Sequence, residues 1–143
     1  MKTSKNKILI ALFILLVVTL SGCKNPFSEE KKKELVRILV DDYLDDPGIW
    51  VFYWDGKDKN QKYISAGKYI LFLEVGQFQD QNFVRAESGG KPGKNLDEHY
   101  EAGFFTYFEI GQPYPDPFKI AEGVNIPIIV PERARVKLSI FKD

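Results

Sequence analysis

Along most of this chain the apolar residues recur at every second position, the period of a strand with one face buried and one face toward water. Val124, Ile126, Ile128 and Val130 form the cleanest run, and Val136, Leu138 and Ile140 form another. Tyr69, Leu71, Leu73 and Val75 line one face of a third, with Ile70 and Phe72 on the other, and Phe104, Thr106, Phe108 and Ile110 repeat the pattern in a fourth. Trp50, Phe52 and Trp54 share one face of an aromatic strand. Only Glu29 to Leu44 competes for helix: Leu35, Ile38, Leu39 and Tyr43 share a helical face, while Val36, Ile38 and Val40 alternate equally well. The strand reading, from Leu35 to Asp41, is preferred.

Turn chemistry separates these runs at Asp46-Pro47-Gly48, Asp55-Gly56, Ser88-Gly89-Gly90, Gly111-Gln112-Pro113 and Pro131-Glu132. Short strands at this spacing predict an all-β sandwich or barrel. Pro127 lacks a ladder donor, which places its strand at a sheet edge or a bulge. Ser88 to Tyr100 is polar and glycine-rich and is expected to be the longest mobile loop.

The most specific pattern in this region is Trp54-Asp55-Gly56-Lys57-Asp58-Lys59-Asn60, followed by Ser65-Ala66-Gly67-Lys68-Tyr69. Trp54 ends the aromatic strand, and a buried indole is a large apolar contribution. Asp55-Gly56 suits a tight turn because glycine accepts positive φ. Asp58 and Asn60 can bond to their own loop backbone and hold the turn without a ligand. Gly67 lets the chain swing into the next strand, where Tyr69 can bury its ring and reach backbone with its hydroxyl, much as in a tyrosine corner.

At these residues the chain resembles the Ig-like domain of flagellar hook-capping proteins and the related secretion-sorting C-terminal domains, which carry a Trp-Asp-Gly-x-Asp turn and then a Gly-x-Tyr strand start. A second signature of that family is a Pro-Asn-Pro-Phe turn, an alternating strand and a Val-x-Leu-x-Ile-Tyr-Asp strand. Tyr114-Pro115-Asp116-Pro117-Phe118 resembles the turn, Val124 to Val130 the alternating strand, and Val136 to Asp143 the last one. The resemblance implies an Ig-like antiparallel β-sandwich of about seven strands. The order departs from the family, which places the Pro-Asn-Pro-Phe part first. A circular permutation accounts for that, as do two partial units packed together, with Leu35 to Asp42 as a second copy of the Val-x-Leu-x-Ile pattern.

The N-terminus carries a different signal. A basic start (Lys2, Lys5, Lys7) precedes an apolar run from Ile8 to Leu20, and Leu20-Ser21-Gly22-Cys23 closes it. The layout resembles a bacterial lipoprotein signal peptide, which implies cleavage between Gly22 and Cys23 and acylation of Cys23 with diacylglycerol and fatty-acyl groups such as palmitate. The apolar run is shorter than the about 20 residues that span a bilayer, which favours a cleaved leader. The expected organisation is therefore a signal peptide over 1–22, a polar tether over 23–33 and the sandwich over 34–143.

Composition narrows the chemistry. The chain has 20 basic and 20 acidic residues, and the leader removes three of the basic ones. The slightly acidic remainder argues against nucleic acid, whose binding needs clustered Lys and Arg. Cys23 is the only cysteine, so no thiol is left for a disulfide, a nucleophile or a zinc site. Stability must come from packing, in keeping with 11 Phe, 7 Tyr and 2 Trp.

His99, the single histidine, has no Gly-x-Ser-x-Gly elbow beside it, and general-base work needs a positioned nucleophile; it reads as a solvated loop residue. Asp41, Asp42, Asp45 and Asp46 form one acidic cluster and Asp55, Asp58 and Asn60 another, but neither has the EF-hand spacing for calcium. No metal and no cofactor is expected. Trp50, Phe52 and Trp54 read as core rather than as a sugar platform, because a small domain needs aromatic core; Tyr53, Tyr63, Tyr107 and Tyr114 are better candidates for exposed contacts.

These readings converge on a non-catalytic protein of the bacterial cell envelope, bound to membrane through Cys23 and using an Ig-like domain as a structural or protein-binding module. Its expected partner is an envelope protein met through edge strands or loops, with the edge near Pro127 and the Ser88 to Tyr100 loop as the favoured places. Lys24 lacks the Asp that retains lipoproteins at the inner membrane in the best-known sorting rule, so the outer membrane is favoured. The alternatives are a carbohydrate-binding module for envelope or extracellular glycans, and a small hydrolase.

Overall fold

The computed structural model describes residues 33–143; Gly22, Cys23 and the leader lie outside them. The described chain is all-β, with nine strands and one 3-10 turn at Ile120–Glu122. The strands are β1 (Glu34–Leu44), β2 (Gly48–Trp54), β3 (Gly67–Val75), β4 (Phe78–Glu87), β5 (His99–Ala102), β6 (Glu109–Ile110), β7 (Phe118–Lys119), β8 (Val124–Val130) and β9 (Ala134–Lys142). They form a five-stranded sheet in the order β1-β9-β3-β4-β7 and a four-stranded sheet in the order β5-β2-β8-β6.

The two sheets face each other as a β-sandwich, and the period-two pattern explains the core between them. Tyr69, Leu71, Leu73, Val84, Val136, Leu138 and Ile140 project from the first sheet, and Trp54, Val124, Ile126, Ile128 and Val130 from the second. All of them are buried. Strand β3 is apolar on both faces because its outer side is covered as well: Ile70 is buried there, and Phe72 meets Phe141 edge-on at 6.2 Å.

The segment with two competing patterns is a strand, longer than expected at Glu34–Leu44. It pairs antiparallel with β9 from Glu34↔Lys142 to Leu44↔Ala134, with register shifts between Leu35 and Arg37 and between Ile38 and Val40. Those shifts account for the mixed periodicity, since a bulge breaks strict alternation. They also roughen an edge strand that would otherwise offer a flat pairing surface.

Three expectations need correction. The sandwich is not wholly antiparallel, because β7 runs parallel to β4, with Ala86↔Phe118 and Glu87↔Lys119 paired. The chain reaches that edge from the opposite sheet through Pro115 and Pro117, both preceded by cis peptide bonds, and turns back at once toward β8.

The Phe104 to Ile110 run is strand only at Glu109–Ile110, and Phe104 is 99% exposed. Gly103 to Phe108 instead leads from β5 to β6, which lie at opposite edges of one sheet with β2 and β8 between them. Of the aromatic residues here Phe108 alone packs on the core, while Phe104 and Tyr107 are exposed, so their spacing marks no ladder.

Pro127 sits in β8, between β2 and β6 and not at an edge. Its carbonyl accepts from the Gly111 N–H at 2.8 Å, on the side where two-residue β6 has already ended. The missing proline donor is therefore aimed at the weak side of the ladder.

Candidate functional site

Three groups of residues are candidates for the chemistry of this chain. The first is the Trp54 turn. Trp54 is fully buried and its indole N–H donates to the Lys57 carbonyl at 2.9 Å. The Asp55 carboxylate accepts from the Lys57 N–H at 3.0 Å and from Arg37 at 2.7 Å. The Asp58 carboxylate accepts from the backbone of Asn60 at 2.8 Å and of Lys62 at 3.0 Å. Gly56 has φ 76°, and a β-carbon there would stand 2.2 Å from the Ile120 carbonyl oxygen.

Gly67 has φ 151°, and the Tyr69 hydroxyl two residues on donates to the Ser65 carbonyl at 2.7 Å. Phe118, from the Pro115-Asp116-Pro117 turn, is buried against Trp54 with ring centroids 5.6 Å apart, and Tyr69 packs edge-on to Trp54 at 5.6 Å. The two motif-bearing segments therefore build one aromatic cluster. Their residues serve packing and turn closure; Asp55 and Asp58 are engaged within the turn, and Asn60 takes part through its backbone N–H.

The second group was not legible beforehand. Asn125 is buried, and its side-chain amide donates to the carbonyls of Asn95 at 2.7 Å and Tyr114 at 3.3 Å. Its side-chain oxygen accepts from the Asp97 N–H at 3.0 Å. The Asn95 side chain donates to the Gly123 carbonyl, and the backbones of Gly93 and Asn95 donate to Ala121 and Glu122. The Ser88 to Tyr100 segment, expected to be mobile, is thus fastened to the 3-10 turn and to the start of β8. An asparagine in an apolar alternating strand was the available signal.

The third group is titratable. His99 begins β5 with its ring nitrogens 2.6 Å from the Asp97 carbonyl and 3.2 Å from Glu101. Its pKa is raised above 6.5, first by the bond to the Asp97 backbone; burial opposes the rise as the next largest effect, and the Asp97 carboxylate and Glu101 add to it. The Tyr114 hydroxyl donates to Asp97 at 2.8 Å, and burial followed by that carboxylate pushes its pKa up to about 12. These groups lie on the outer side of the second sheet, and no hydroxyl or thiol positioned as a nucleophile belongs to the network.

The remaining candidates separate cleanly. Asp41 and Asp45 pair with Arg135 and Arg133 at 3.2 and 2.8 Å, and among the described residues no three His, Cys, Asp or Glu side chains converge as a metal site. Trp50 and Phe52 are half-buried against the core, with Trp50 also against Tyr100 at 4.6 Å. Of the four tyrosines proposed for contacts, Tyr63, Tyr107 and Tyr114 are exposed. Tyr53 instead donates to the Glu122 carbonyl at 2.7 Å and is raised in pKa by burial, while Tyr114 holds Asp97.

Comparison of the chain with family models, curated proteins and solved structures finds no match.

Proposed function

We propose that this chain is a lipid-anchored, non-catalytic protein of the bacterial envelope whose β-sandwich is a structural or protein-binding module. The observation that carries the reading is Leu20-Ser21-Gly22-Cys23 at the end of a basic-then-apolar leader, with Cys23 the only cysteine of the chain. One acyl chain holds a protein to membrane only marginally and two or more hold it stably. A multiply acylated Cys23 therefore keeps the domain at the surface without help from the sandwich. Lys24 favours the outer membrane.

We read the sandwich as Ig-like with its motif order permuted. The packing of Trp54 against Phe118 supports this, since it joins the two signature parts in space although their order along the chain is reversed. The use of Asp55, Asp58, Asp97 and Tyr114 in internal hydrogen bonds supports a module that binds through its surface.

Mass spectrometry of the membrane fraction tests the anchor. The expected N-terminal peptide begins at acylated Cys23, and Cys23→Ser leaves the precursor unprocessed. An unmodified peptide that spans Gly22 and Cys23 in the wild-type protein overturns the reading.

A further inference from the structure

The clearest unspent feature of the molecule is the loop from Gly103 to Phe108. Phe104 is 99% exposed and Tyr107 is 53% exposed, while Phe108 anchors the loop by packing on the core and against Phe78 at 5.9 Å. A large aromatic side chain held fully in water does nothing for the fold, and exposed aromatics on a rigid base are what binding surfaces use.

Its surroundings have a definite sign. The loop leaves β5 at Ala102, opposite Gly48, which also pairs with Val130, so it shares one end of the sandwich with the Asp45–Pro47 turn that follows Leu44 and with the Pro131–Arg133 turn. Asp46, Glu109 and Glu132 are exposed there and make no salt bridge among the described residues. The nearby cations are engaged: Arg133 pairs with Asp45 and lies over the Tyr43 ring at 4.5 Å, and Arg135 pairs with Asp41. The chain enters the domain at Lys33, beside the Glu34↔Lys142 pair at the other end of the same strands. At about 3.3 Å per residue along β9, the two ends are about 25 Å apart.

We infer that this end of the sandwich, which carries exposed Phe104 together with Asp46, Glu109 and Glu132, is a docking surface for a protein segment that presents Lys or Arg next to apolar side chains. The carboxylates attract and orient such a segment, since charge complementarity selects partners and raises encounter rates. Phe104 supplies the apolar anchor. An anionic bilayer is disfavoured by the same carboxylates, which would face phosphate headgroups. The inference deepens the protein-binding reading above and rests on it.

The test uses the full chain in living cells, with the photo-crosslinker benzoylphenylalanine placed at Phe104 or, as a control at the other end, at exposed Lys62. The expected result is a protein adduct at position 104 whose crosslinked peptide is net basic, and whose yield falls at least fivefold when Glu109→Lys and Glu132→Lys are combined with the probe. Phe104→Ser is expected to leave the melting temperature unchanged, which separates docking from folding. An adduct with lipid or with an acidic peptide, or a yield unmoved by charge reversal, overturns the inference. Protein adducts at Lys62 alone overturn it while leaving the protein-binding reading in place, and an absence of protein adducts at both positions overturns both.

Discussion

Trp54 and Phe118 lie 5.6 Å apart, ring to ring, although β3, β4, β5 and β6 all come between them in the chain. Trp54 closes a strand of one sheet and Phe118 sits in the parallel edge strand of the other, so their contact spans the sandwich at the end where Gly56 meets Ile120. Both side chains are wholly buried. Removing either leaves a cavity as well as lost transfer energy, and each alanine substitution should cost about 3–5 kcal/mol. Because the rings touch, the double mutant should be less destabilised than the sum, by about 0.5–1.5 kcal/mol. Denaturant titration of the four proteins measures this; strict additivity would show that the two rings stabilise the fold independently.

Gly56 and Gly67 both have positive φ, at 76° and 151°, yet they answer to different neighbours. A methyl group on Gly56 would strike the Ile120 carbonyl at 2.2 Å, whereas nothing stands within 4 Å of one on Gly67. Gly67→Ala should cost about 1 kcal/mol from backbone strain alone. Gly56→Ala adds displacement of the 3-10 turn and should cost at least 1–2 kcal/mol more, by analogy with overpacking. Equal melting temperatures for the two variants would contradict this account.

Legibility in the sequence followed the range of the interaction. The Trp54 turn, the buried Tyr69 and the strands around Leu71, Ile126 and Leu138 were readable because turn chemistry and period-two alternation act within a few residues. Phe104 to Ile110 misled because period-two spacing of aromatic residues does not require a strand: Phe108 and Ile110 reach the core while Phe104 stands in water. Pro127 was placed correctly as a ladder defect but wrongly at an edge, since only the three-dimensional pairing shows that β6 stops before reaching it. The pinning of the Ser88 to Tyr100 segment depends on Asn125, about thirty positions away: a polar residue in an apolar run marks Asn125, but nothing local names its partners. The proposed docking end was hidden for the same reason: strand pairing alone brings the segments that carry Asp46, Phe104 and Glu132 to one end of the sandwich.

Asn125 should therefore govern the mobility of a segment far from it in sequence. Asn125→Leu keeps the branched outline but abandons the Asp97 N–H and the Asn95 carbonyl, and each buried group left unpaired costs about 1–3 kcal/mol. Release of the segment into water recovers part of that cost. Hydrogen exchange should then accelerate across 91–98 while β3 and β9 remain protected. Uniform acceleration over the whole sandwich would mean that Asn125 supports the global fold rather than this fastening.

His99 gives the domain a pH dependence whose sign is set by its partners. The Asp97 carbonyl, the Asp97 carboxylate and Glu101 all favour the protonated ring, so the folded-state pKa lies above 6.5. A group raised on folding contributes stability that is fully present below its unfolded value and is lost as pH rises through its folded value. The window therefore opens near pH 6.5 and extends upward. Because the chain holds one histidine, its ring resonances report on this site alone. An NMR titration should place the midpoint above 6.5, and Glu101→Gln should lower it without returning it fully, since the Asp97 backbone bond is the larger cause. The fall in melting temperature between pH 6 and 8 should be shallower in His99→Gln than in the wild type. A midpoint at or below 6.5 would mean that water, not Asp97 and Glu101, solvates the ring.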